Sequence, residues 1–194
     1  VRVALIVPVK SFAIAKGRLA TTLSGDQREE LARKCATQVL RAGSPWPTYV
    51  VCDDDTVATW AVDNGAIVVR CSEPGIDNAV RQGRQRAGDD GAEHVVIAHS
   101  DLPLAHRFDH LPLHDTVTLV PDRHRDGTNV IAMPTHSPFS TAYGPNSFER
   151  HIQIALDLSA TYRVLEDADL SLDLDTADDL TELDRRRSGK EHTS

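Results

Sequence analysis

The chain predicts an α/β protein of three layers, a mostly parallel sheet held between helices. Three observations carry that expectation. As far as Asp101, short apolar runs alternate with amphipathic stretches, the rhythm of strands joined by helical crossovers. The first run, Val3-Ala4-Leu5-Ile6-Val7, is apolar without a break, as in a strand covered on both faces. Beyond Asp101, two apolar runs follow each other with only a charged loop between them, so the later chain extends the same sheet.

Each element has a local reason. Pro8 ends the first strand, and a basic stretch with Lys10, Lys16 and Arg18 follows. Ser24 is placed to cap a helix through about Arg41, with Leu31, Cys35, Val39 and Leu40 on one face. Gly43 and Pro45-Trp46-Pro47 stop it. Tyr49 to Cys52 reads as a second strand. Asp54 or Asp55 caps a helix carrying Val57, Trp60 and Ala61, which stops near Asn64-Gly65. Ala66 to Val69 is a third strand, Asp77 to Ala87 a helix ended by Gly88, and Val95 to Ala98 a fourth strand. Val117 to Val120 and Asn129 to Met133 are the two successive strands. Pro145, a good first-turn residue, opens a helix through Phe148, Ile152 and Leu156. Tyr162 to Leu165 is the last strand. Thr176-Ala177-Asp178-Asp179 has the form of a capping box with Asp in place of Glu, and opens a closing helix.

The 194 residues suit one domain over 1–187, with a polar tail over 188–194 expected to be disordered. The net charge of −8 argues against a protein that coats nucleic acid, which would carry a basic surplus. No apolar run approaches the ~20 residues of a membrane span, so no membrane association is expected. The run at Val3 lacks the cleavage pattern of a signal peptide. Three unevenly spaced cysteines fit a reducing cytoplasm better than a disulfide framework.

In an open α/β sheet, ligands bind beyond the carboxyl ends of the strands. Four features fall there. The loop 8–19 carries Lys10, Lys16 and Arg18, side chains suited to phosphate oxygens. It contains neither GxxxxGK[ST] nor GxGxxG, which excludes a P-loop and a dinucleotide fingerprint. Asp101 follows the fourth strand, a good place for a Mg²⁺ ligand. Asp173 and Asp175 alternate in an extended segment, so both can face one site; the alternative is that Asp175 or Thr176 only caps the helix that follows. Lastly, Gly127 and Gly144 permit close backbone approach near Thr128, and Ser147 lies in the first turn of a helix, where anions are favoured. Together these features describe nucleotidyl transfer. A phosphate acceptor is already ionised at neutral pH, so no general base is needed.

The segments PVKSFAIAKGRL at 8–19, SDLPL at 100–104, PDRHRDGTNVI at 121–131, YGPNSFERH at 143–151 and DLDTADDL at 173–180 resemble one family. It is the 2-phospho-L-lactate and phosphoenolpyruvate guanylyltransferases of coenzyme F420 biosynthesis. The resemblance implies a nucleotidyltransferase-A-like fold, GTP as donor, Mg²⁺ as cofactor and a phosphorylated three-carbon acid as acceptor. It implies Asp101, Asp173 and Asp175 as metal ligands, with Lys16 and Asp101 catalytic. Lys10, Lys16 and Arg18 become triphosphate contacts, and Thr128, Gly144 and Ser147 the acid pocket. A homodimer is expected by the same analogy.

The family has a Leu-Asn pair near guanine and ribose. Here the stretch reads Gly75-Ile76-Asp77-Asn78-Ala79, which offers Asp77 and Asn78 as nucleotide contacts. An ionised Asp accepts hydrogen bonds and donates none. Two other readings are a glycosyltransferase with a DxD-bound nucleotide sugar and a catalytically silent nucleotide-binding protein. The first lacks an evident sugar pocket and base; the second has no need of three carboxylates and two lysines.

Overall fold

The structure, a computed structural model, describes residues 1–191. Seven strands form one sheet: β1 (Val3–Pro8), β2 (Thr48–Cys52), β3 (Ile67–Arg70), β4 (His94–Ala98), β5 (Val117–Pro121), β6 (Thr128–Pro134) and β7 (Tyr162–Val164). Their spatial order is β3-β2-β1-β4-β6-β5-β7. Only β6 runs against its neighbours; β4–β6 and β5–β6 are antiparallel and every other pair is parallel. This is the mostly parallel sheet that the sequence predicts. The antiparallel strand follows β5 through the short charged loop 122–127, not through a helical crossover.

Four helices cover the sheet, α1 (Gly25–Ala42), α2 (Asp55–Asp63), α3 (Ile76–Asp89) and α4 (Ser147–Asp157), and α5 (Ala177–Glu191) packs its Leu183 in a cluster with Cys35 of α1. The strand alternation sorts the core into two layers. Leu5, Val7, Val50 and Val96 meet Ala36 and Val39 of α1 and Val57 and Ala61 of α2 on one face. Ala4, Ile6, Val51 and Ile97 meet Val80 of α3 and Phe148 of α4 on the other. Helix α3 lies close on the sheet because Gly83 has no side chain. A Cβ there would stand 2.7 Å from Ile6 Cγ2 and 2.8 Å from Val51 Cγ2.

The caps follow the sequence. Ser24 Oγ accepts from Gln27 N at 3.2 Å, and Gln27 Oε1 accepts from Ser24 N at 2.9 Å, a complete capping box. Asp54, not Asp55, caps α2 by accepting from Val57 N at 2.9 Å. At α5, Asp179 accepts from Thr176 N at 2.7 Å.

Strand ends shift by at most one residue, as at β3, β6 and β7, and three helix ends differ from expectation for identifiable reasons. Helix α3 passes Gly88 and ends at Asp89, because Gly91 (φ +89°) supplies the left-handed residue that lets the chain leave. Helix α4 starts at Ser147, because Asn146 stands at φ 55° and keeps Pro145 outside. Helix α5 continues to Glu191, so the first residues expected as tail are helical; 192–194 lie outside the described residues. Among the described residues, no helix is long and apolar enough to cross a membrane.

Candidate active site

The carboxyl ends of β4, β1, β2 and β3 open into a cavity of about 720 Å³. The loop after β1 forms one wall. Its ends are pinned: Phe12 is buried edge-on to Trp60, with the Arg33 guanidinium 4.7 Å above its ring, and Leu19 is fully buried. Between the pins, Ile14 is 73% exposed and Lys16 takes a left-handed conformation (φ 60°). That backbone is unusual for a residue with a Cβ. It belongs to the turn that carries the Lys16 ammonium inward.

Lys16 Nζ lies 2.7 Å from Asp101 Oδ2, and its side chain is only 6% exposed. The other Asp101 oxygen, Oδ1, is buried without a partner. Burial works against charge on Asp101, but the Lys16 ammonium and then His99 hold its carboxyl below the usual carboxylate range. His99 itself is pushed down by burial, and its Nε2 has no partner.

The acidic pair arrives from the far end of the chain. Leu172 and Leu174 are buried with Cys35 of α1 and Leu183 of α5, so Asp173 and Asp175, alternating with them, turn the other way. Leu174 N donates to the Asp101 carbonyl at 3.1 Å, which fixes this segment beside the end of β4. Burial, and then the Asp101 charge, push the Asp173 carboxyl up to about 6. Asn129, at the start of β6, donates to Asp173 Oδ1 at 3.2 Å. Asp175 Oδ2 accepts from Arg18 Nη1 at 2.5 Å, a largely exposed pair.

Two cations of the loop after β1 therefore rest on two of the three expected carboxylates. Lys10 lines the same cavity and is exposed. Among the described residues, no three Asp, Glu, His or Cys side chains already converge as a metal cage.

Thr128, Gly144 and Ser147 lie on the other side of β4. His99 N donates to the Asn129 carbonyl at 3.0 Å, so Thr128 sits next to the strand end that carries Asp101. Gly144 is exposed at φ +116°. Thr128 and Ser147 are buried, however, and neither lines the large cavity. His151 Nε2 accepts from Ala142 N at 2.9 Å, which puts the ring proton on Nδ1, 2.9 Å from Thr128 Oγ1. The helix start is also occupied: Asp126 Oδ1 accepts from Asn146 N, and the Asp126 carbonyl from Phe148 N.

Asp77 and Asn78 stand apart from the cavity that the sequence assigns them to. Asp77 Oδ1 accepts from Tyr143 N at 3.1 Å, and Asn78 Nδ2 donates to the Pro74 carbonyl at 2.8 Å. Both line a second, smaller cavity. The helical turn explains this: Ile76 and Ala79, three apart, face the large cavity, and the two residues between them cannot.

Sequence reasoning missed several supporting groups. Asp122 gathers the loop before β6, accepting from His124 N, Asp126 N and Gly127 N. Asn129 and His151 join segments far apart in the chain. Their polar side chains among apolar neighbours were the available signal.

The family model "Guanylyl transferase CofC like" matches residues 3–193. The chain belongs to this family. A phosphoenolpyruvate guanylyltransferase of Sphaerobacter thermophilus is 33% identical over 187 residues, covering 92% of this chain and 90% of the relative. A 2-phospho-L-lactate guanylyltransferase of Methanocaldococcus jannaschii is 25% identical over 189 residues, covering 94% and 83%. Among solved structures, a nucleotidyl transferase from Methanothermobacter thermautotroptrophicus superposes with a TM-score of 0.64 at 14% identity, covering 95% and 97%. The fold is that of the nucleotidyltransferases, and family membership makes the chain a nucleotidyltransferase enzyme of the guanylyltransferase kind.

Proposed function

We propose that this enzyme joins GTP to a small phosphorylated three-carbon acid and releases pyrophosphate, in coenzyme F420 biosynthesis. Phosphoenolpyruvate is the preferred acid, since relatives at 30–33% identity carry that name, and 2-phospho-L-lactate is the alternative. The observation that carries the reading is the Lys16–Asp101 contact at 2.7 Å at the end of β4. A cation and a carboxylate rest on each other where two anionic substrates would have to meet.

Mg²⁺ is the proposed cofactor, and the residues present fit it. Asp101 offers a buried oxygen without a partner, and Asp173 is a second oxygen donor beside it. Mg²⁺ takes one or two carboxylates and completes its shell with waters and substrate phosphates, so no ready-made cage is needed. Asp101 and Asp173 would hold it, with Asp175 available once Arg18 moves. Bound there, it would offset negative charge on the phosphates.

The chain's own residues do the rest. Lys16 and Arg18 exchange their carboxylates for triphosphate oxygens, and Lys10 joins them. The acid is held on the far side of β4 by the Gly144 loop, with Thr128 and Ser147 beneath it. Its phosphate oxygen attacks the α-phosphorus; the bond to the bridging α–β oxygen breaks, and pyrophosphate leaves with that electron pair. Lys16 steadies the charge that grows on the leaving group. Incubation with GTP, Mg²⁺ and each acid, followed by mass spectrometry, tests the reading. The expected product is a GMP-acid diphosphate. Absence of pyrophosphate with every acid removes it.

A further inference from the structure

We propose that Asp53 reads the Watson–Crick edge of guanine. This rests on the GTP-dependent reaction proposed above and assigns the part of the chain that selects the base.

The reacting phosphorus belongs near Asp101, because only there do the cationic loop and the acid-binding side of β4 meet. The cavity runs away from that point under β1 and β2 to β3. Neighbouring strands are about 4.8 Å apart, so the end of β2 lies about 10 Å from the end of β4. That is about the distance from the α-phosphorus of a nucleotide to the far edge of its base. The base therefore falls over the ends of β2 and β3. Ile14, Ile76 and Ala79 line the same cavity and offer apolar surface to a flat ring.

Guanine differs from adenine at this edge by presenting two adjacent donors, N1–H and the 2-amino group. A carboxylate, which only accepts, matches both with its two oxygens. Five acidic residues line the cavity: Asp53, Asp54, Glu73, Asp101 and Asp175. Four are committed. Asp54 caps α2, and Glu73 accepts from Arg81 Nη2 at 2.7 Å and Gln82 Nε2 at 3.3 Å. Asp101 and Asp175 hold Lys16 and Arg18. Asp53, at the end of β2, engages only its backbone carbonyl, with Arg70 Nη1 at 3.3 Å, and leaves an exposed carboxylate free. Asp77 is turned to Tyr143 N and the other cavity, so it does not compete for the base.

The test uses a change in hydrogen-bond polarity. Asp53→Asn keeps one acceptor and replaces the other with an amide donor, which opposes the guanine 2-amino group and suits the 2-oxo group of xanthine. Affinities for GTP and XTP are measured by calorimetry without acid, alongside pyrophosphate release by the wild-type chain with GTP and acid. Asp53→Asn should weaken GTP roughly 10- to 100-fold and bind XTP more tightly than GTP. An active wild type whose variant keeps the wild-type GTP-to-XTP ratio, even with both affinities reduced, overturns this assignment alone. A wild type inactive with GTP and every acid overturns the reaction, and this assignment with it.

Discussion

Lys16 and Asp101, 85 residues apart in the chain, form a contact of 2.7 Å in which the lysine side chain is almost wholly buried. Each keeps the other's charge tolerable away from bulk water. Removing either should leave an uncompensated charge. Lys16→Ala and Asp101→Asn should each lower stability by about 1–3 kcal/mol, and the double variant by less than their sum. Thermal melts check this. Both single variants should also lose most turnover, and Mg²⁺ should raise the melting temperature of Lys16→Ala more than that of the wild type.

Asp173→Asn should separate stability from activity. It removes a buried charge that faces Asp101, while the amide can still meet Asn129. The melting temperature should hold or rise, and turnover should fall at least about 100-fold. A variant that is both less stable and fully active would remove Asp173 from the proposed metal ligands.

Arg18→Ala should behave differently. The pair with Asp175 is largely exposed, so stability should change by less than about 1 kcal/mol. GTP should bind more weakly, measured by calorimetry. Unchanged GTP affinity would reduce Arg18 to a surface partner of Asp175.

The acid side is tested at Gly144. A side chain at φ +116° is strained, and it would project where the acid is expected. Gly144→Val should raise the KM for the acid more than Ser147→Ala does, with little effect on GTP affinity measured without acid. Loss of GTP binding instead would exchange the two pockets.

His151 sets a pH dependence. Burial pushes its imidazole down to about 4 from an ordinary 6.5. The unfolded chain therefore takes up a proton first as pH falls, and the folded form resists. Stability from this residue is fully present above about pH 6.5 and is lost progressively down to about pH 4, up to roughly 3 kcal/mol. Protonation would also end the bond from Ala142 N to Nε2 and loosen the loop that carries Gly144. Melts at pH 7 and pH 4.5 should differ less in His151→Gln than in the wild type.

Much of this was legible in the sequence because it rests on periodicity and spacing. Continuous apolar runs gave the buried strands, and the Leu172-Asp173-Leu174-Asp175 alternation put two carboxylates on one side. The family motifs led to Lys16 and Asp101. What stayed hidden depends on which way a helix turns and on partners distant in the chain. Asp77 and Ile76 are neighbours in sequence, yet a rotation of 100° sends them to different cavities. The engagement of Thr128 by His151 could not be read from either residue, since only the packing of α4 on the sheet brings them together.

The missing side chain of Gly83 reaches further than its own contacts. It lets α3 settle onto Ile6 and Val51, and the same rigid rod carries Ile76 seven residues, about 10 Å, toward its N-terminus. The helix thus works as a lever, with its fulcrum at Gly83 and its tip on the wall of the cavity. A single methyl at the fulcrum would lift the rod and change the gauge of a slot it never touches. Under the proposed placement of the nucleotide, Gly83→Ala should alter base preference from the floor of the core, by volume alone.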